Sequence, residues 1–180
     1  MKHDHFHHLV YGSLNDYLTG EELTDTDDER IRQDISRYMV EEKKYHKNQL
    51  IPRLYIETLF TTNFVRSTID LTVTAKDRHF MIIRYGPGSL VSRERSAVAA
   101  ARVLHPEYRI PLAVVTNGRE AEIIDTATGK IIGNGLESLP DRVQAEELIS
   151  TLTFLPRQSD LDLEREKRIL NAFDVERCCL

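Results

Sequence analysis

Arg66-Ser67-Thr68-Ile69-Asp70-Leu71-Thr72-Val73-Thr74-Ala75, followed shortly by Phe80-Met81-Ile82-Ile83-Arg84-Tyr85-Gly86-Pro87-Gly88, is the stretch whose reading decides the fold. The first part alternates. Ile69, Leu71, Val73 and Ala75 fall on one face, and Thr68, Asp70, Thr72 and Thr74 on the other, which is the period of a half-buried strand. Lys76-Asp77-Arg78 is a polar turn. Phe80-Met81-Ile82-Ile83 is a continuous apolar run, as expected of a central strand buried on both faces. Gly86-Pro87-Gly88 stops it.

Working outward, residues 50–60 are rich in β-branched and aromatic side chains, with Pro52 near the start where a strand tolerates it. Before them, Thr26-Asp27-Asp28-Glu29 has the form of a capping box. Ile31, Ile35, Tyr38 and Met39 then recur at helical spacing, predicting a helix that ends near Lys44. After the glycines, the alanine-rich residues 92–104 read as a helix able to lie close on a sheet, and Pro106 closes it. Leu112-Ala113-Val114-Val115-Thr116 is a further buried strand, and Asn117-Gly118 a tight turn into residues 121–124. A short strand at 130–132 and helices over 139–151 and from Asp160 complete the chain. Leu161, Ile169, Leu170 and Phe173 are the expected buried stripe of the last helix, and Glu164-Arg165-Glu166-Lys167-Arg168 its solvated face. The order predicts an α/β fold with an αβββαβ core and a mixed sheet, plus a C-terminal hairpin and two helices. Residues 1–25 read as a lead-in, 26–140 as the domain, and 141–180 as its helical extension.

Composition bounds the function. The 180 residues are 41% hydrophobic and 29% charged, with a formal net charge of −5. That is a globular composition, and its acidity means that any nucleic-acid contact must come from a local basic patch. No apolar run approaches the ~18 residues of a membrane helix, and Met1 to His8 lack a secretory apolar stretch, so a cytoplasmic protein is expected. His3, His5, His7 and His8 form a lead-in rather than a metal site, and Cys178 and Cys179 are free thiols or an inter-chain bridge.

Three segments together resemble the N-terminal nuclease domain of type I restriction enzyme R subunits, of the PD-(D/E)XK (restriction-endonuclease-like) superfamily. They are Asp27-Asp28-Glu29-Arg30-Ile31-Arg32-Gln33 with Val40-Glu41-Glu42-Lys43-Lys44-Tyr45, the strand from Arg66 to Val73, and Ile110-Pro111-Leu112-Ala113-Val114-Val115-Thr116-Asn117-Gly118-Arg119-Glu120. In such nucleases, the resemblance implies, an Asp on one strand and an acid on the next hold Mg2+, and a Lys two residues on helps to activate water. Asp70 matches the strand Asp and is the metal ligand if there is one, and Glu29 matches the acid on the first helix. Ile83 and Tyr85 stand at the acid and Lys positions, so the Glu-x-Lys pair is absent.

A catalytically silent domain that binds DNA or a protein partner is therefore expected. Without the pair no cofactor is expected, and Mg2+ would belong to an active site only. Arg84, Arg93, Arg95 and Arg102 are the candidate phosphate contacts, forming a strip near Asp70. Asp70 otherwise pairs with Arg66 or Arg84. The alternatives are an active Mg2+-dependent endonuclease with a migrated acid such as Glu57 or Glu94, and a structural or homodimerising module. At this length the chain has no room for motor domains, so a separate domain rather than a whole subunit is expected.

Overall fold

Helix α1 (Asp27–Glu41) starts where the cap was expected, with Thr26 Oγ1 accepting from the Glu29 N–H at 3.1 Å. Only half of the box is made, because the Glu29 carboxylate turns to Gln33 and Arg32 instead. The structure is a computed structural model that describes residues 10–178, with side chains through Asp174. The expectations for His3, His5, His7, His8 and Cys179 lie outside the described residues, and so does the side chain of Cys178.

Six strands form one sheet in the order β3 (Leu50–Phe60), β4 (Asn63–Ala75), β5 (Arg78–Tyr85), β6 (Leu112–Thr116), β7 (Ala121–Asp125), β8 (Lys130–Asn134). Every neighbouring pair is antiparallel except β5–β6, which helix α2 (Glu94–Leu104) joins as a parallel crossover. The sheet is mixed, and α1-β3-β4-β5-α2-β6 is the expected αβββαβ order. Lys76 and Asp77 are both left-handed (φ 46° and 58°), the backbone of a primed hairpin turn between β4 and β5.

The sheet is covered on both faces. On one side α1 and the short helix α3 (Arg142–Leu148) pack through Ile35, Met39 and Ala145 onto Leu71, Met81 and Ile83. On the other, α2 and the long helix α4 (Asp160–Cys178) pack through Ala97, Ala100 and Leu170 onto Ile56, Ile69 and Ile82. Ile69 and Leu71 therefore serve opposite layers, although a regular strand would put both on one face as the sequence predicts. The pleat changes phase between them, at Asp70. On the neighbouring strand Arg53 is left-handed (φ 57°), between the Pro52–Leu71 and Leu54–Ile69 pairs.

Both ends depart from expectation. Residues 10–26, read from the sequence only as part of a lead-in, form a hairpin, β1 (Val10–Asn15) with β2 (Glu22–Thr26). Buried Asp16 anchors it: its carboxylate accepts from the N–H groups of Leu18 and Thr19, from Gln33 on α1 and from Arg53 on β3. In α4, Leu170 of the expected stripe is buried and Ile169 packs against the same layer, but Leu161 is 75% and Phe173 41% exposed. Leu163, Glu166, Asn171 and Asp174 join Leu170 on the inward face, and Glu166 is the buried exception in the run read as solvated. Two carboxylates and an amide are buried there because partners on α2, β5 and the β3–β4 hairpin receive them. No helix among the described residues is long and apolar enough to cross a membrane.

Candidate functional site

Asp70 sits at the phase change of β4, beside the end of β5 and the first turns of α1. It is buried, 8% exposed, and both carboxylate oxygens are engaged. Oδ1 accepts from Arg32 Nε at 2.5 Å and Oδ2 from the backbone N–H of Tyr85 at 2.7 Å. The partner is neither Arg66 nor Arg84. Arg66 pairs with Glu57 on the outer face of the β3–β4 hairpin. Arg84 points into the other layer of the molecule.

Arg32 is the centre of this site. Its guanidinium also reaches Glu29 Oε2 at 3.5 Å and lies 5.4 Å from the centre of the Tyr85 ring. Burial works against its charge, and the Asp70 carboxylate outweighs that, with Glu29 and Asp28 adding to it, so the guanidinium is held above its ordinary value. The Tyr85 hydroxyl donates to Asp28 Oδ1 at 2.9 Å. Burial, and then that bond to a carboxylate, push the phenol up to about 12. Gln33 completes the network: its Nε2 donates to Glu29 Oε1 at 2.8 Å and to Asp16 Oδ2 at 3.1 Å.

Ile83, at the position expected to carry an acid, is fully buried in the layer beneath α1. The residues present do not suit Mg2+. A hard dication calls for several oxygen ligands, whereas here a single strand carboxylate faces a guanidinium that would repel the metal. No group of three or more Asp, Glu, His or Cys side chains among the described residues could hold a metal ion. The arrangement holds a fixed protein cation, Arg32, against Asp70.

The structure thus brings Asp70, Glu29 and Tyr85 together and places Arg84 and Arg102 in the opposite layer, against α4. Arg84, 7% exposed, forms a buried ion pair with Asp174 of α4 at 3.1 Å and donates to Ser96 of α2. Arg102 donates to Glu166 of α4 at 2.7 Å and to the Thr126 carbonyl at 2.8 Å. Arg93 packs its guanidinium where a side chain on Gly86 would stand and donates to the Pro87 carbonyl, and Arg95 is exposed. For Arg84 and Arg102 the expectation of a place beside Asp70 is corrected: the strand period turns Arg84 away from Asp70 and toward α4, and Arg102 pairs with the same helix.

Arg32, Gln33 and Asp16 were not singled out from the sequence. The signal available was local: Glu29, Arg32 and Gln33 stand at i, i+3 and i+4, where helical side chains meet.

The family model for the type I restriction enzyme R protein N terminus (HSDR_N) matches residues 27–140, from the first residue of α1 to just beyond β8. No curated protein and no solved structure matches the chain. The matched segment contains Asp70, its Arg32 partner and the whole six-stranded sheet, and it spans more than half of the 180 residues. The chain belongs to the type I restriction enzyme R protein N-terminal family.

Proposed function

We propose that this is a nuclease-derived domain of the PD-(D/E)XK kind in which metal-dependent cleavage has been lost, and that it acts in a cytoplasmic setting by binding nucleic acid. The observation that carries this reading is the Arg32–Asp70 pair: the one strand carboxylate at the site is neutralised by a protein cation. Ile83, buried in the core, supplies no acid from the neighbouring strand. The migrated acids do not repair this. Glu57 pairs with Arg66 on the exposed hairpin face, and Glu94 lies beside Glu122, whose carboxyl is raised by burial and by the neighbouring Glu94 and Glu120 charges.

The test is incubation of the purified protein with supercoiled plasmid and Mg2+ or Mn2+, beside a duplex oligonucleotide shift across a salt series. No nicking and a salt-dependent shift are expected. Nicking that disappears in Asp70→Ala overturns the loss of cleavage, and absence of any shift at low salt overturns the binding.

A second reading, a protein contact or homodimer, is favoured by Tyr55, Leu59 and Phe64, which are 53%, 65% and 53% exposed on one face of the β3–β4 hairpin. A concentration-dependent mass by light scattering that Leu59→Lys abolishes tests its homodimeric form.

A further inference from the structure

Two of the four arginines that the sequence offers for phosphate contact are held by carboxylates from one helix. Asp174 takes Arg84, and Glu166 takes Arg102. Both acids belong to α4, which lies beyond the matched residues 27–140, whereas both arginines lie within them. The two acids are eight residues apart on one face, roughly 12 Å along the helix, which is the scale of a few successive backbone phosphates.

The docking surface of α4 is unusual for a helix held by burial alone. Among its described side chains, the buried apolar ones are Leu163 and Leu170, with Ile169 partly buried beside them, and they are interleaved with buried Glu166, Asn171 and Asp174. Leu161 and Phe173 point outward, 75% and 41% exposed. Buried ion pairs add little net stability, because the Coulomb gain roughly offsets desolvation. A contact built on them can be exchanged for another anion of the same geometry at small net cost. Arginine forks suit phosphate oxygens as well as carboxylates.

We propose that α4 is an intramolecular occluding strap, whose Glu166 and Asp174 occupy on Arg102 and Arg84 the positions that two nucleic-acid phosphates take when the strap is displaced. The ligand class is the backbone of a DNA duplex, read without sequence preference, and exposed Arg95 on α2 extends the same surface. This deepens the nucleic-acid reading above and rests on it.

The test compares the full chain with the Glu166→Gln/Asp174→Asn variant, using fluorescence anisotropy of a labelled duplex oligonucleotide over a salt series. The variant is expected to bind about tenfold more tightly, with a log–log salt slope steeper by about 2, one unit for each phosphate engaged. Adding Arg84→Gln and Arg102→Gln is expected to remove the gain. A control that removes two exposed acids of the same helix, Asp160→Asn/Glu164→Gln, is expected to leave affinity within about twofold of the parent; a comparable gain there reduces the effect to net charge and overturns the proposal. Equal affinity of the parent and the Glu166→Gln/Asp174→Asn variant, with circular dichroism showing both folded, also overturns it. Should the variant unfold, hydrogen exchange on the unaltered chain decides. Faster exchange of the α4 amides on adding duplex supports displacement, and unchanged protection with duplex bound overturns it. Binding by the unaltered chain, measured in the same titration, judges the nucleic-acid reading separately from the strap.

Discussion

Arg32 on α1 and Asp70 on β4, 38 residues apart in sequence, meet at 2.5 Å, and the carboxylate is far more deeply buried than its partner, with side-chain exposures of 5% and 27%. Truncating Arg32 would leave Asp70 charged, buried and dependent on the Tyr85 N–H alone. Arg32→Ala is expected to destabilise the fold by about 2–4 kcal/mol, shifted below the range of about 3–5 kcal/mol for a fully buried pair because the guanidinium is partly solvated. Removing both charges in Arg32→Met/Asp70→Asn should cost less than the sum of the single changes. A double-mutant cycle from urea denaturation checks this, and simple additivity would contradict the coupling.

Asp16 gives the N-terminal hairpin a pH dependence. Burial alone would raise its carboxyl, but Arg53, the Thr19 N–H and Gln33 outweigh it and hold it at about 2 against an ordinary 3.8. The folded state thus binds this proton less tightly than the unfolded chain does. The resulting stability is complete above the ordinary value and is lost as pH falls through about 2; a difference of this size corresponds to about 2 kcal/mol. Asp16→Asn should lose that amount at neutral pH and show a shallower decline than the parent between pH 4 and pH 2. Urea midpoints measured across that interval decide it.

Gly118 turns the chain between β6 and β7 with φ 88°, and a β-carbon there would stand 2.7 Å from Ile31 Cγ2 on α1. Gly129, between β7 and β8, has φ 72° and nothing within 4 Å of the same position. Gly129→Ala is expected to cost about 1 kcal/mol, the backbone strain alone. Gly118→Ala should cost about 1–3 kcal/mol more, because Ile31 must move. Melting temperatures of the two variants, measured side by side, separate the steric contribution from the conformational one.

What the sequence made legible was local. Alternation placed β4, an unbroken apolar run placed β5, and Thr26 placed the start of α1, because each signal depends on neighbours within a few residues. The less legible features depend on distant partners. Asp70 was expected to meet an arginine of its own sheet, yet the pleat changes phase beside left-handed Arg53 and delivers it to α1. The buried face of α4 could not be found by counting apolar residues, since Glu166, Asn171 and Asp174 become inward-facing only because Arg102, Thr58 and Arg84 receive them. The β1–β2 hairpin carried little signal because its strands are largely exposed and it is held by polar contacts to distant residues, Asp16 and Glu21 to Arg53 and the Tyr17 N–H to Gln33.

The shared family segment closes at residue 140, but the layer over Ile56, Ile69 and Val98 is finished by α4, whose first residue is Asp160. The border of the family segment and the border of the packed layer therefore do not coincide in this chain. A fragment cut at residue 140 would carry an open apolar flank and two guanidiniums, Arg84 and Arg102, stripped of their counterions. A different cover across that flank would leave the same sheet with a different readiness to meet an anion.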